Sequence, residues 1–367
     1  MNLDLARPDG PDEMGQELAE GPDAVERTLA NLAPIRASAD RLLDGAARIV
    51  FVGTGASLAM VHAAAPSWRR ISEQRQRPVL VRQSTEAVLA GADGFSFEGS
   101  DLVVAVSQSG TSPETLAALR MARSKGCETI AVTAQATSPL GSEASLTVQV
   151  GSGEERGAAT KSALATLAAL YAIAGQLDGE SGPAVTTALR KIVMSWSSVV
   201  AAAPVLAAAR QTWVVGFGSG LGIAEAGALL WHEKVIRPAV GTTPSEFRHG
   251  LIEAAGPADA VILIDVDRSD PRRRAYLTRL DQELAALDVA LVEIRPGPDR
   301  TPVSGKASET PRRIRYPIPA EAPATVALAA LLRVQQLARA TALTAGTYRD
   351  EFVVLHHVVQ PALDLLE

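Results

Sequence analysis

A run of hydroxyls around one glycine, Ser107-Gln108-Ser109-Gly110-Thr111-Ser112, stands between an apolar stretch and a helical one. Asp101 to Val106 is β-branched and apolar, as a strand buried on both faces requires, and from Thr115 onward Leu116, Leu119, Met121 and Ala122 recur at helical spacing. A helix N-terminus leaves backbone N–H groups unpaired and carries about half a positive charge, so a phosphate there is neutralised without lysine or arginine. The serine and threonine hydroxyls add donors, and Gly110 lets the backbone approach. The same residues also read as an N-cap with turn punctuation, through Ser-Gly and Ser-Pro-Glu.

A second glycine turn, Gly53-Thr54-Gly55-Ala56-Ser57, follows the apolar run Arg48 to Val52. It lacks the third glycine of a dinucleotide fingerprint, the next strand ends in Arg82-Gln83-Ser84 without an acid for a ribose hydroxyl, and no Walker A sequence exists. A nucleotide or nicotinamide cofactor is therefore not expected.

The elements that must carry these turns alternate. Residues 11–45 are expected to be helical arms with Leu18, Val25, Leu29, Leu32 and Leu42 on their packing faces. Strands are expected at Arg48 to Val52, Pro78 to Val81, Asp101 to Val106, Thr129 to Val132 and Leu146 to Val150, with helices after the first (to about Arg70), near Glu86 and after the third. Alternation of this kind specifies a parallel sheet covered on both faces, with ligands beyond the carboxyl ends of its strands. After Gly151 to Lys161 and an alanine-rich helix, residues 183–209 read as a long helical connector. The pattern then begins again, because Trp213-Val214-Val215-Gly216-Phe217-Gly218-Ser219-Gly220 repeats the form of Phe51 to Ser57. Ala260 to Val266, Val289 to Ile294 and an edge at Arg313 to Pro317 complete a second sheet. Residues 238–245 and 296–311 read as loops, and a helix is expected over 322–343. The fold class is α/β: two doubly wound parallel-sheet subdomains at 46–182 and 183–345, a helical N-terminal arm at 1–45, and a C-terminal tail at 346–367.

Composition narrows the partners. With 35 Lys and Arg against 41 Asp and Glu the net charge is −6, which argues against a nucleic acid, whose binding needs clustered cations to replace counterions. The cationic run Arg268 to Arg274 contains Asp270, follows Asp267, and reads as a solvated loop. Cys127 is the single cysteine, so neither a disulfide framework nor a thiolate metal cluster is available, and it is expected in a buried strand. His356 and His357 are adjacent, a spacing unsuited to one shared ion, and no metal is expected. The N-terminus lacks a basic start followed by an apolar core and no stretch approaches a membrane span, so a cytoplasmic protein is expected.

Taken together, the two sheets, the Ser107 loop and the Gly-Thr turn resemble the SIS (sugar isomerase) family, in which the likeness is to the isomerase half of glucosamine-6-phosphate synthase and to stand-alone amino-sugar-phosphate deaminases and isomerases. The most specific pieces are Ser107 to Thr115, Glu154 to Lys161 with Ser162, and the segment from Gly227 through Glu246-Phe247-Arg248-His249-Gly250. The resemblance implies that Ser107, Gln108, Ser109 and Ser112 hold a sugar phosphate, with Gly53, Thr54, Ala158 and Ala159 beside the sugar. Gly55 stands where the family usually carries a serine.

By the same resemblance Glu233 is the carboxylate that moves a proton between C1 and C2. The residues agree in part, since Glu225, Leu229 and Glu233 share a helical stripe, and the carboxyl end of a helix raises a carboxylate's pKa. The alternative is an exposed glutamate paired with Lys234 or Arg237. His249, implied to open the pyranose from across a homodimer interface, follows the helix start Pro244-Ser245-Glu246. Its imidazole is therefore expected in a first turn, where the dipole favours the neutral ring; a capping histidine is the alternative. His357 stands where the synthase has its imine-forming lysine, which an imidazole cannot replace in kind, and Leu230 replaces another family lysine. The sequence shows neither a glutaminase pattern nor an N-terminal cysteine nucleophile, so glutamine-driven synthesis is not expected of it.

The expected function is a phosphosugar deaminase/isomerase acting on a hexose or amino-hexose 6-phosphate. Glucosamine 6-phosphate would go to fructose 6-phosphate and ammonia without metal or cofactor. Deglycation of a fructosamine 6-phosphate and plain ketose/aldose interconversion share the first half-reaction. A non-catalytic phosphosugar-sensing regulator is the rival from another class, and retained Glu233 and His249 speak for chemistry.

Overall fold

The computed structural model of the protein describes residues 12–89, 94–178, 180–267, 269–297, 312–320, 322–352 and 354. Among them lie ten strands in two sheets: β1 (Arg48–Gly53), β2 (Val79–Gln83), β3 (Asp101–Val106), β4 (Glu128–Thr133), β5 (Leu146–Gln149), β6 (Thr212–Gly216), β7 (Ala239–Thr242), β8 (Ala260–Ile264), β9 (Ala290–Pro296) and β10 (Arg313–Ile318). Every pairing is parallel. The orders are β2-β1-β3-β4-β5 and β10-β9-β8-β6-β7. Read from β7, the second is the first repeated, so the duplication in sequence is a duplication of topology.

The chain divides into two compact units. The first holds Gly21–Glu155 and Lys161–Thr186; the second holds the chain up to Glu20, Arg156–Thr160 and Thr187–Asp350. In the first, the central strand β3 is buried along its whole length, as its unbroken apolar run requires. The helix Lys161–Ile173 is buried at all its positions and locks to the helix Gly55–Arg75 through polar tips. Trp68 Nε1 donates to the Leu170 carbonyl at 3.1 Å and Tyr171 to the Ala63 carbonyl at 3.1 Å. In the second, β6 and β8 are the buried strands, and the helix Pro323–Ala345 is nearly all interior. Its polar residues are satisfied: Arg339 pairs with Asp12 at 2.8 Å, and Gln336 Nε2 donates to the Ile192 carbonyl at 3.0 Å.

Several expectations fail for local reasons. The connector 183–209 is three helices, Gly182–Met194, Trp196–Val199 and Ala203–Ala208. Ser195 and Ser198 turn their hydroxyls back onto the carbonyls of Ile192 and Ser195, a competition with the helix ladder that favours a break. Residues 239–242, expected as loop, form the edge strand β7 on β6; four residues with a central Gly241 offer no apolar alternation to read. Of the cationic run, Ser269 and Asp270 precede the helix Pro271–Ala286, whose N-cap is Asp270, while Arg272, Arg273 and Arg274 lie in its first turn and not in a loop; Arg268 lies outside the described residues. Cys127 is buried just before β4, its thiol on the Glu98 carbonyl at 3.0 Å, and burial pushes it up to about 11. Residues 298–311, part of the expected loop, lie outside the described residues. No single described helix is long and apolar enough to cross a membrane.

Candidate functional site

In the first unit, β1 and β3 are neighbours with Gly53 opposite Val106. The turns that leave them, at Thr54 and at Ser107, therefore stand side by side at the point where the strand order reverses, the usual ligand position of such a sheet. Ser107 is buried, and its hydroxyl lies 2.9 Å from that of Ser112 while accepting from the Gly110 amide at 3.2 Å. The Gln108 carbonyl accepts from Thr133 Oγ1 at 3.2 Å and from the Ala134 amide at 3.0 Å, and the Gly110 carbonyl from the Leu140 amide at 3.1 Å. Gly110 has φ +65°, and a Cβ there would sit 1.9 Å from Ser138 Oγ, so both conformation and space demand glycine.

Ser112 occupies the N-cap position of the helix Pro113–Ser124, yet its hydroxyl makes no capping bond and is turned to Ser107. The helix amides are thereby left to another acceptor. At the rim, Thr111 donates from both amide and hydroxyl to Ser109 Oγ, at 3.2 and 3.0 Å. Thr54 Oγ1 is buried and finds no hydrogen-bond partner among the described residues. A buried hydroxyl without a partner costs about 1–3 kcal/mol, a cost that a polar ligand would remove. Hydroxyls, an uncapped helix start and an orphaned threonine together make a loop suited to a compact oxyanion.

The second unit carries Glu233. It does not close an α-helix: Ser219–Leu230 gives way to a π turn at Trp231–Val235, ended by Ile236 in the left-handed region with φ 55°. A π turn inserts an extra residue per turn and recurs at functional sites. It also breaks the stripe expected from Glu225 and Leu229. Glu233 is half-buried, and burial pushes its carboxyl up to about 7, against the opposing charge of Lys234. The direction matches the expectation, but the cause is desolvation and not the helix dipole.

Ala158 is buried and Ala159 half-buried on the segment Arg156–Thr160. This segment is fixed by Glu17, whose carboxylate accepts from the Arg156 amide at 2.7 Å and Thr160 Oγ1 at 2.8 Å, and by Gln335 donating to the Thr160 carbonyl at 2.9 Å. None of these fixing residues is evident from the sequence, because their partners lie far along the chain.

His249 is not in a first turn. The helix Pro244–Arg248 is a single turn capped at its start by Thr243, and His249 ends it, exposed, its amide on the Ser245 and Glu246 carbonyls. The argument for a neutral ring from the amino-end dipole therefore lapses. His356 and His357 lie outside the described residues.

The second sheet offers a contrast at the position matching the Ser107 loop. β8 runs out into Asp265-Val266-Asp267, where Asp267 accepts from Ser269 Oγ at 2.6 Å and meets Arg273 at 3.4 Å. Asp270 caps the next helix on the Arg272 amide at 2.8 Å. Carboxylates of the chain already occupy the anion positions.

Known proteins share this architecture. Residues 42–175 match the family model described as the SIS domain. A glutamine--fructose-6-phosphate aminotransferase [isomerizing] from Leifsonia xyli is 28% identical over 93% of this chain and 57% of its own length, so the chain spans little more than half of that relative. Two solved structures have the same fold. They are the tagatose-6-phosphate ketose/aldose isomerase from Escherichia coli (TM-score 0.78, 20% identity, 93% of this chain and 95% of that one) and the C-terminal domain of glucosamine-fructose-6-phosphate aminotransferase from Francisella tularensis (TM-score 0.74, 21% identity, 94% and 99%). Residues 42–175, which hold the first sheet, are therefore an SIS domain.

Proposed function

We propose that the protein is a phosphosugar isomerase-type enzyme acting on an amino hexose 6-phosphate such as glucosamine 6-phosphate. Ser107, Gln108, Ser109 and Ser112 take the phosphate with the amides at the start of Pro113–Ser124, and Gly53, Thr54, Ala158 and Ala159 contact the sugar. His249, exposed at the end of its turn, is contributed to a second copy in a homodimer and carries a proton between the ring oxygen and O1 as the pyranose opens. Glu233 removes the C2 proton and returns one to C1. The 2-amino aldose becomes a 2-imino ketose, whose C=N bond water hydrolyses to fructose 6-phosphate and ammonia. In the same step O1 takes a proton from His249 and the amine nitrogen returns one to it, so the proton ledger closes on the two side chains, without metal or organic cofactor. His357 is assigned a place in the same chemistry in a tail that lacks the imine-forming lysine, and the enzyme works in the cytoplasm.

The observation that carries this reading is the Glu233 carboxyl, held near 7 by burial, where a general base works best at neutral pH. The test is Glu233→Gln, which keeps shape and hydrogen bonding but cannot accept the proton. Turnover is expected to fall at least about 10³-fold while binding of the sugar phosphate, read by calorimetry, persists. Full activity in that variant would remove the base. A panel of hexosamine 6-phosphates, ketose 6-phosphates and fructosamine 6-phosphates, assayed for released amine and ketose, then separates deamination from deglycation and from plain isomerisation.

A further inference from the structure

The residue after Glu233 is a lysine with 2% of its surface exposed. Lys234 Nζ donates to the carbonyls of Arg349 and Asp350, each at 2.8 Å, and lies 5.5 Å from the Tyr348 ring centroid. Gly157, at φ +79°, faces the same point: a Cβ there would lie 3.0 Å from the ammonium and 2.6 Å from the Asp350 carbonyl. Thr347 Oγ1 adds ties to the carbonyls of Val235 at 2.9 Å and Lys234 at 3.2 Å. The Asp350 carboxylate accepts from Tyr348 at 2.7 Å and from the Glu13 amide at 3.0 Å. Three segments far apart in sequence, at 157, at 231–235 and at 347–350, therefore meet around one ammonium.

An aliphatic side chain would fill this space without the cost of burying a charge, which reaches several kcal/mol when poorly compensated. The chain instead places a cation where its acceptors are main-chain carbonyls at the root of the C-terminal tail. Burial lowers the lysine's pKa, and Asp350, Glu233, Glu17 and Glu13 oppose that shift. Main-chain acceptors fix where a segment lies, irrespective of its side chains.

We propose that Lys234 is a positioning residue: by holding the Arg349 and Asp350 carbonyls it fastens the root of the C-terminal tail, and the loop at Gly157, to the π turn that aims Glu233. The role rests on Glu233 being the base, and it adds that one buried ammonium ties the base's turn to the tail.

The test is Lys234→Met in the full chain, beside wild type and Glu233→Gln. Two measurements are made: amide hydrogen exchange, and solvent-deuterium incorporation into fructose 6-phosphate. The methionine keeps the length and loses the donor. Exchange of the 347–352 amides is expected to rise at least about tenfold. The rate of deuterium incorporation at saturation should fall about 10- to 100-fold, with KM changed less than about threefold, because no phosphate contact is touched. A merely structural loss lowers apparent kcat only in proportion to the folded fraction, so rates are normalised to the folded fraction read by circular dichroism, and the fall in kcat is expected to survive that normalisation. If Lys234→Met does not fold, Thr347→Val removes the neighbouring ties without a charge change and should give the same pattern at smaller amplitude. Unchanged exchange at 347–352, or an unchanged kcat with Glu233→Gln inactive, overturns the positioning role alone. Glu233→Gln with full incorporation overturns the assignment of the base instead.

Discussion

The two sheets share one strand order and differ at one turn. After β3 the chain supplies Ser107, Ser109 and Ser112, and the N-cap serine leaves the helix amides without a side-chain acceptor. After β8 it supplies Asp265, Asp267 and Asp270, and the N-cap aspartate binds the Arg272 amide itself. A helix start is an anion site in both cases. In the second unit the anion is built in, whereas in the first, on the proposed function, it is the phosphate of the substrate. The duplication thus keeps the scaffold and changes the turn: one N-cap side chain leaves the helix start uncapped, and its counterpart closes it with the chain's own charge.

The largest expected effect comes from closing the open turn. In Ser107→Ala/Ser109→Ala two hydroxyls are lost from a dianionic group, and each bond to a charged partner contributes about 1.5–3 kcal/mol. On the proposed function, kcat/KM drops by about 10² to 10⁴, carried by KM. A loss confined to kcat would place the phosphate elsewhere.

The pH dependence tests the second unit. If Glu233 must be ionised to take the C2 proton, the rate of proton exchange rises with pH through about 7 and falls about tenfold per unit below it. An acid limb near the ordinary carboxylate value of 4.5 would mean that the carboxyl is solvated when substrate is bound.

The same burial has a smaller, thermodynamic signature. A carboxyl whose folded pKa is about 7 and whose ordinary value is 4.5 binds its proton more tightly when folded. Its contribution is fully present below about 4.5 and is lost as pH rises through about 7. The difference sets an upper bound of about 3 kcal/mol. Glu233→Gln, which never ionises, should therefore gain Tm relative to wild type between pH 5 and pH 8. A Tm difference constant across that range would show that the carboxyl's pKa is not raised in the folded protein.

How much of this was legible in sequence follows from the range of the interactions. β3 and β8 could be read because continuous β-branched runs have few other uses. β7 could not, with four residues around a glycine, and the break at Ser195 depended on hydroxyls bonding backward within one turn. The serines and Thr54 were legible as residue types at a strand-to-helix switch, and Glu233 through its resemblance to a family motif. The cause of its raised pKa was not, because desolvation comes from residues packed around the π turn. His249 was placed at the wrong end of its helix, since Pro244-Ser245-Glu246 marks a start without saying that the helix lasts one turn. The ties of Lys234 span more than a hundred residues, and no local pattern announces them.

The smallest effect belongs to the closed turn and is the sharpest control on the comparison. Asp270→Ala removes the carboxylate that accepts the Arg272 amide and leaves every residue assigned to the sugar phosphate untouched. Loss of an N-cap lowers helix stability modestly, so Tm should drop by a few degrees at most while turnover stays at the wild-type value. The vacated helix start should also gain a weak, salt-sensitive affinity for inorganic phosphate, visible as recovery of Tm on titration. If Asp270→Ala instead abolished turnover with Tm intact, the second turn would belong to the chemistry, and the contrast between the two turns would have to be abandoned.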